Sequence, residues 1–190
     1  MNMKSRSVLF LLVLLVPVPL LAHGDDTSFE DTVAAIFPKA ACASGAEEDC
    51  SDATPHEKKL TPDQLKYIEE QSGSKVQSND NPFVYWAVFD ENHRQLGTVV
   101  FVDADGRKGG VELAIGVNLD GTLANVLVEE NNEDLPLSSH QFLDQLQGKS
   151  IESPLKIGED IRYVGNPQSG QAMLNGVRRG LYLLKAAQGK

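Results

Sequence analysis

The sequence predicts an α/β fold of the α+β kind, in which a mostly antiparallel sheet is flanked by helices. Apolar segments with the two-residue alternation of strands follow one another between residues 83 and 128. Helical patterns with recognisable start and stop signals lie before and after them. If the first 22 residues are removed as an export signal, residues 23–190 remain, and this length is typical of a single domain.

The first 22 residues have the layout of a secretory signal peptide. Lys4 and Arg6 precede an apolar run over residues 8–21, and the small Ala22 is followed by polar residues. The run is shorter than the roughly 20 apolar residues of a transmembrane helix and contains two prolines. We therefore expect cleavage after Ala22 and a periplasmic or otherwise exported protein. The alternative is an uncleaved N-terminal membrane anchor, and we expect membrane contact only in that case.

The charge of the chain restricts its partners. It has 27 acidic and 17 basic residues and a formal net charge of −10. Nucleic acids and anionic membrane surfaces attract positively charged proteins, so the composition argues against both. We expect no nucleic-acid partner.

The two cysteines, Cys42 and Cys50, both follow the signal segment. In an exported protein, two cysteines close in sequence most simply form a structural disulfide, with a redox-active pair as the alternative. No histidine lies at metal-ligand spacing from them, and we expect no metal site.

Two helices are predicted in the first half of the chain. The apolar spacing over Thr27–Phe37 predicts a short amphipathic helix, and residues 39–58 are interpreted as a loop. A second helix begins at Thr61, because Gln64 three residues later completes a capping box. Gly73 is expected to end it.

Four apolar segments predict the sheet. They are Phe83–Phe89, Leu96–Val102, Val111–Leu119 and Leu123–Val128. The last two are joined by Asp120-Gly121, which is a strong hairpin signal. Short connections favour antiparallel neighbours, so a meander is expected.

The remainder of the chain alternates polar turns and helices. Glu129–Asp134 is interpreted as an acidic turn, and a short helix capped by Ser138 or Ser139 is expected to end at Leu146. A long amphipathic helix is predicted over Ser169–Ala187.

No catalytic constellation is visible in the sequence. The four histidines are scattered over predicted loops or a helix start and are interpreted as solvated; they are His23, His56, His93 and His140. No nucleophile–base pair is apparent, so a binding function is expected rather than a reaction on a substrate. The turn that opens the last helix contains Gly and Ser residues, and such a turn offers N–H groups and a helix dipole to an anion.

From Leu60 to Leu184 the chain resembles the FMN-binding domain family. That family includes the flavin-carrying C subunit of the sodium-pumping quinone reductase and the G subunit of the Rnf electron-transfer complex. The stretches that carry the resemblance are LTPDQLKYIEEQSGSKV, LAIGVNLDGTLANVLV, QFLDQLQGKSIESPLKIGEDI and AMLNGVRRGLYLL. It implies an FMN-binding-like domain over residues 60–187, preceded by an N-terminal helix and disulfide loop over residues 23–59.

One residue departs from the family pattern. Family members have a Ser-Gly-Ala-Thr turn before the last helix, and its threonine hydroxyl carries FMN through a phosphoester. In this chain the turn falls on residues 164–167, where Gly165 matches and Pro167 replaces the threonine. Proline has no hydroxyl, so covalent flavin attachment is not expected. Ser169 matches a later Ser or Thr of the motif.

The first functional hypothesis is therefore an electron-transfer carrier or accessory protein that holds FMN non-covalently. Its ring would lie on the sheet near Trp86 or Tyr85. Arg178 and Arg179 are interpreted as a solvated helix face, with phosphate contact as the alternative. The residues expected around the phosphate are Gly165, Asn166, Ser169, Gly170 and Gln171, with Lys149 as an additional positive charge.

The second hypothesis is a flavin-free scaffold or interaction module of a periplasmic redox system. In that case the acidic surface and the turn at Glu129–Asp134 would face the partner. Under both hypotheses the expected partners are periplasmic or membrane redox proteins.

Overall fold

The computed structural model describes residues 28–41 and 53–189, which form a five-stranded antiparallel sheet flanked by helices. The predicted fold class is thereby confirmed, and the strand order β1-β2-β3-β4-β5 is a meander. The expected signal peptide and the expected Cys42–Cys50 disulfide lie outside the described residues. The elements in chain order are α1 (Phe29–Ile36), β1 (Ala53–Lys58), α2 (Pro62–Ser72), β2 (Phe83–Phe89), β3 (Gln95–Asp105), β4 (Gly110–Asn118), β5 (Leu123–Asn131), α3 (His140–Leu143) and α4 (Pro167–Ala187).

The interpretation of residues 39–58 as a loop is wrong for β1. This strand pairs with β2 from Ala53 opposite Val88 to Lys58 opposite Phe83. Its residues after Ala53 are exposed and include a proline, so no apolar alternation marks the segment as a strand. The segment becomes a strand through its pairing with β2, so residues before position 60 belong to the same sheet as β2 to β5.

The strands β3 and β5 extend further than their apolar patterns. β3 continues to Asp105 and β5 to Asn131, so the first half of the predicted acidic turn at Glu129–Asp134 is strand. Both extensions add polar residues that are held by ladder pairing, such as Asp103 opposite Glu112. Apolar periodicity therefore identifies these strands and underestimates their length.

Helices cover both faces of the sheet. α4 lies on one face, where Gly176 approaches so closely that an added Cβ would lie 2.6 Å from the Cβ of Ala104. α1 lies on the other face, and its Ile36 occupies the space that a side chain on Gly116 would need. Because both faces are covered, Ala114 of β4 is completely buried even though it alternates with the main-core residues of that strand.

The second helix agrees with its sequence signals. The Thr61 hydroxyl accepts a hydrogen bond from the Gln64 N–H at 3.3 Å, and the Gln64 side chain accepts one from the Thr61 N–H at 2.9 Å. Gly73 ends the helix in the left-handed conformation, with φ of 68°. Among the described residues, no helix has the length and apolar character that crossing a membrane requires.

Arg179 is completely buried, so its interpretation as part of a solvated helix face is wrong. Its guanidinium donates to the Ser74 hydroxyl at 2.8 Å, to the Lys75 carbonyl at 2.7 Å and to the Asp103 carbonyl. Its Nε lies 3.0 Å from Oδ2 of Asp80 without hydrogen-bond geometry, so this contact is an ion pair. Burial raises the pKa of Asp80, and the charge of Arg179 opposes that rise.

We expect Arg179→Met to lower the free energy of unfolding by about 3–5 kcal/mol, because it leaves Asp80 buried without its counter-charge. Urea unfolding of the purified protein measures this loss. The double variant Asp80→Leu/Arg179→Met should recover part of it, because neither charge then remains buried. The exposed Lys66→Met serves as the control and should change the value by less than about 0.5 kcal/mol. A loss below about 1 kcal/mol in Arg179→Met would contradict this assignment.

Candidate functional site

The N-terminal turn of α4, where the phosphate was expected, is saturated by internal hydrogen bonds. The helix begins at Pro167, two residues before the predicted start, and Asn166 is its N-cap. The Asn166 side chain accepts from the N–H groups of Gln168 at 2.9 Å and Ser169 at 3.4 Å. The Gly170 N–H donates to the Asn166 carbonyl at 3.1 Å, and Pro167 has no N–H. Each N–H of residues 168–170 therefore has an acceptor within the chain.

Two carboxylates lie against the same turn. Oδ2 of Asp134 accepts from the Asn166 N–H at 2.8 Å and from the Tyr163 hydroxyl at 3.0 Å. The Ser169 hydroxyl, 1% exposed as a residue, donates to Oε1 of Glu133. The positive end of the helix is thus neutralised by the side chains of the chain itself.

Glu133 also joins the turn to the β3–β4 hairpin. Its Oε2 accepts from the Gly109 N–H at 3.1 Å and from the Lys108 N–H. Burial alone would raise the pKa of Glu133, but the hydrogen bonds from Ser169, Lys108 and Gly109 outweigh it and lower the pKa from 4.5 to about 2. Glu133 is therefore ionised at neutral pH and turned inward, so the expectation that the whole acidic turn faces a partner is wrong for this residue.

Asp134 and Tyr163 form the second group of side chains that hydrogen-bond at the N-terminal turn of α4. The Asn166 N–H, and next the Tyr163 hydroxyl, hold the pKa of Asp134 below its ordinary value. Burial, and next the carboxylate of Asp134, raise the pKa of Tyr163. Tyr163 therefore stays a neutral donor to an ionised carboxylate across the neutral pH range.

The two glycines of the expected site make room for Tyr163. A Cβ on Gly165 would lie 2.5 Å from the Tyr163 hydroxyl oxygen and would also collide with the Asp134 carboxylate. A Cβ on Gly170 would lie 2.7 Å from Cδ1 of the same ring. The space above both glycines is filled by the protein.

Gln171 and Lys149 have structural partners away from this turn. The Gln171 side chain accepts from the Ile157 N–H at 3.1 Å and donates to the Leu155 carbonyl at 3.2 Å. These bonds help to hold Leu155, which is buried with a positive φ of 45°. The Lys149 ammonium forms an ion pair with Asp160 at 2.9 Å. The six predicted residues thus divide into the turn at 165–170 and the 155–160 segment that Gln171 and Lys149 support.

A cleft beside the turn contains groups that the sequence interpretation did not select. It has a volume of about 340 Å³ and is lined in part by Phe142, Tyr163, Val164 and Arg162. The Phe142 and Tyr163 rings lie 4.7 Å apart between centroids. The Arg162 side chain is exposed and forms no ion pair within the described part of the chain. No local pattern distinguishes Arg162 from an ordinary solvated arginine.

The two aromatic residues proposed to support a flavin ring lie on opposite faces of the sheet. Trp86 packs against Phe29 of α1 and Phe101, with centroid distances of 5.5 and 5.4 Å. Tyr85 borders the core under α4 and stacks on His56 at 5.0 Å. One ring system therefore cannot contact both.

The remaining polar candidates have structural contacts. Arg178 donates to the carbonyls of Ser153 and Pro154, and so fastens the 150–160 segment to α4. Over residues 28–41 and 53–189, no group of three His, Cys, Asp or Glu side chains is arranged to hold a metal ion.

Comparison with models of known protein families finds no match for this chain. Comparison with curated proteins likewise finds no significantly similar sequence. The resemblance to the FMN-binding domain family and the flavin site therefore stay predictions.

We expect the stability of the fold to fall with acid in a way that depends on Glu133. Its pKa in the folded protein is depressed, so its hydrogen bonds stabilise the fold fully above about pH 4.5, and this contribution is lost as the pH falls towards about 2. Glu133→Gln should lose about 1.5–3 kcal/mol at neutral pH and show a flatter acid limb. Urea midpoints measured at a series of pH values test both effects.

The control for that series is Glu130→Gln. Glu130 is exposed and, through Oε1, accepts from the Asn132 amide at 2.5 Å. This variant should keep the acid limb of the wild type. If the Glu133→Gln curve runs parallel to the wild type throughout the acid limb, the role assigned to the Glu133 hydrogen bonds is wrong.

Proposed function

We propose that this chain is an exported, flavin-free interaction module of an electron-transfer system. The observation that carries the proposal is the closure of the α4 N-terminus by Glu133 and Asp134. An FMN phosphate at this turn would find no free N–H on residues 168–170 and would lie beside two carboxylates, which repel it. The redox context rests on the resemblance over Leu60–Leu184.

The same end of the molecule has features of a docking surface. Glu133 and Asp134 gather three loops there, at residues 106–109, 132–137 and 162–166. The two most exposed large apolar side chains among the described residues are Leu135, 87% exposed, and Val164, 79% exposed, and both flank this junction. Exposed apolar side chains close to one another favour a protein-contact site.

The charge of this surface differs from that of the whole chain. Its loops present the exposed side chains of Arg107, Lys108 and Arg162, although the net charge of the chain is −10. The two carboxylates of the junction are occupied by internal hydrogen bonds. The surface therefore fits an acidic periplasmic or membrane redox partner that offers an apolar contact.

A specific observation favours a second candidate function, a non-covalent FMN carrier. The cleft of about 340 Å³ is lined by the Arg162 side chain and by the Phe142 and Tyr163 rings, so it offers a cation to a phosphate and an aromatic surface to part of a flavin ring. In that arrangement Arg162 binds the phosphate and the helix N-terminus does not. Covalent attachment is not part of either candidate, because Pro167 has no hydroxyl.

The visible spectrum of protein purified from its native exported fraction, recorded before and after acid precipitation, tests these candidates. We expect a colourless protein and no quenching of FMN fluorescence, with any affinity weaker than about 1 mM. Flavin absorbance released into the supernatant, and weakened FMN binding in Arg162→Gln, would replace the proposal with the carrier function. Absorbance that stays with the pellet would contradict the argument from Pro167.

The proposed docking surface predicts which part of this protein a partner in the native host contacts. A photo-cross-linking residue placed at Val164 should give a discrete cross-linked species, and Lys108→Glu/Arg162→Glu should abolish it because charge complementarity is lost. The matched control position is Tyr67 on α2, which is 54% exposed and remote in sequence from the three loops. Equal cross-linking from both positions, or none from Val164, would overturn the assignment of this surface.

A further inference from the structure

A second cavity lies at the other end of α4 and has no role in the proposed function. Its volume is about 290 Å³, and it lies between the last turns of α4 and the β4–β5 hairpin. Leu184, which lines it, is 17 residues beyond Pro167, so about 25 Å of helix separate it from the N-terminal turn. A ligand here is therefore independent of the docking surface and of the cleft beside Arg162.

Part of the cavity wall is apolar, and polar residues such as Gln95, Asn118 and Gln188 also line it. Val117 of β4 and Leu181 and Leu184 of α4 line it, and each retains only 4–5% exposure. Leu119 lies at the rim and is 60% exposed, although it is a large apolar side chain. An aliphatic chain placed in the cavity would gain about 0.8 kcal/mol for each methylene removed from water.

Two of the polar lining residues, Thr98 and Lys185, are suited to hold the head group of a ligand. Thr98 is 4% exposed and lines the cavity, and its hydroxyl forms no hydrogen bond with any described residue. Among the described residues, the only fully buried side-chain polar atom without a hydrogen-bond partner is Nε of Arg179. The Thr98 hydroxyl therefore keeps some solvent contact and can donate to a ligand atom in the cavity. Lys185 also lines the cavity, is exposed, and has no ion-pair partner over residues 28–41 and 53–189. A hydroxyl donor and a cation that line one cavity favour a carboxylate.

The size and the charge of the cavity narrow the ligand class. A volume of about 290 Å³ is at the lower end of the range for small-molecule sites, so a short ligand is expected. Asp120 also borders the cavity, where it accepts from the Thr122 N–H at 3.0 Å and the Thr122 hydroxyl at 2.7 Å. A carboxylate already present at the rim repels any anionic head group, and it repels a doubly charged phosphate more than a singly charged carboxylate.

We propose that this cavity binds a medium-chain carboxylate of about eight carbons, with its chain between β4 and α4 and its head group on Thr98 and Lys185. The chain enters past Leu119. The carboxylate accepts from the Thr98 hydroxyl and lies beside the Lys185 ammonium.

Titration of the ¹⁵N-labelled mature protein with sodium octanoate tests this assignment. We expect saturable shifts of the amide signals of Val117, Leu119 and Leu184. Lys185→Gln should weaken binding about three- to tenfold, and 1-octanol should bind more weakly than octanoate because it lacks the charge. Lys66→Gln, on α2, is the matched lysine control and should leave the affinity unchanged.

Thr98→Val removes the hydroxyl at nearly constant volume and should weaken octanoate about fivefold. If that buried variant fails to fold, the exposed Lys185→Gln still decides the question. Absence of saturable shifts, or shifts confined to another part of the molecule, would overturn the proposal. Equal affinities for octanoate and 1-octanol, unchanged in Lys185→Gln, would overturn the head-group assignment.

Discussion

The buried guanidinium of Arg179 is the constraint on which the placement of α4 depends. It connects the helix to Ser74 and Asp80, in the segment between α2 and β2, and to the Asp103 carbonyl of β3. A buried charge tolerates little displacement from its partners, since the alternative is an unpaired ion in the interior. The helix is therefore fixed across the sheet, and its two ends define the two regions where binding is proposed.

The positive end of α4 is occupied by side chains of the chain itself. A helix N-terminus after a turn with glycines resembles a phosphate site by composition. Its N–H donors and its positive potential cannot bind a phosphate when internal acceptors already occupy them. In this chain Glu133 and Asp134 use them, and Tyr163 fills the space over Gly165 and Gly170. The loop end then presents its cations and apolar side chains outwards, which is the basis for an interaction module.

The parts of the fold that could be predicted from sequence are those encoded over a few residues. The capping box of Thr61 and Gln64, the stop at Gly73 and the hairpin at Asp120-Gly121 all depend on neighbours in the chain. The strand β1 could not be found in this way, because its polar, exposed residues become a strand only through pairing with β2.

The sequence located the turn before α4 but did not reveal which side chains form hydrogen bonds with it. The turn at 165–170 does open a long helix, as its Gly and Ser residues indicated. Its occupants are distant in sequence, since Glu133 is 36 residues from Ser169, and Arg179 reaches Asp103 across 76 residues. Nothing in the local pattern around an acidic turn or an Arg-Arg pair specifies such partners.

The central claim is that the carboxylates of the chain itself occupy the α4 N-terminus. It is tested most directly by adding inorganic phosphate to the ¹⁵N-labelled protein at constant ionic strength. The account predicts that the amide signals of Asn166, Gln168, Ser169 and Gly170 show no saturable change. A saturable shift of these signals would show that the turn accepts a phosphate and would contradict the account.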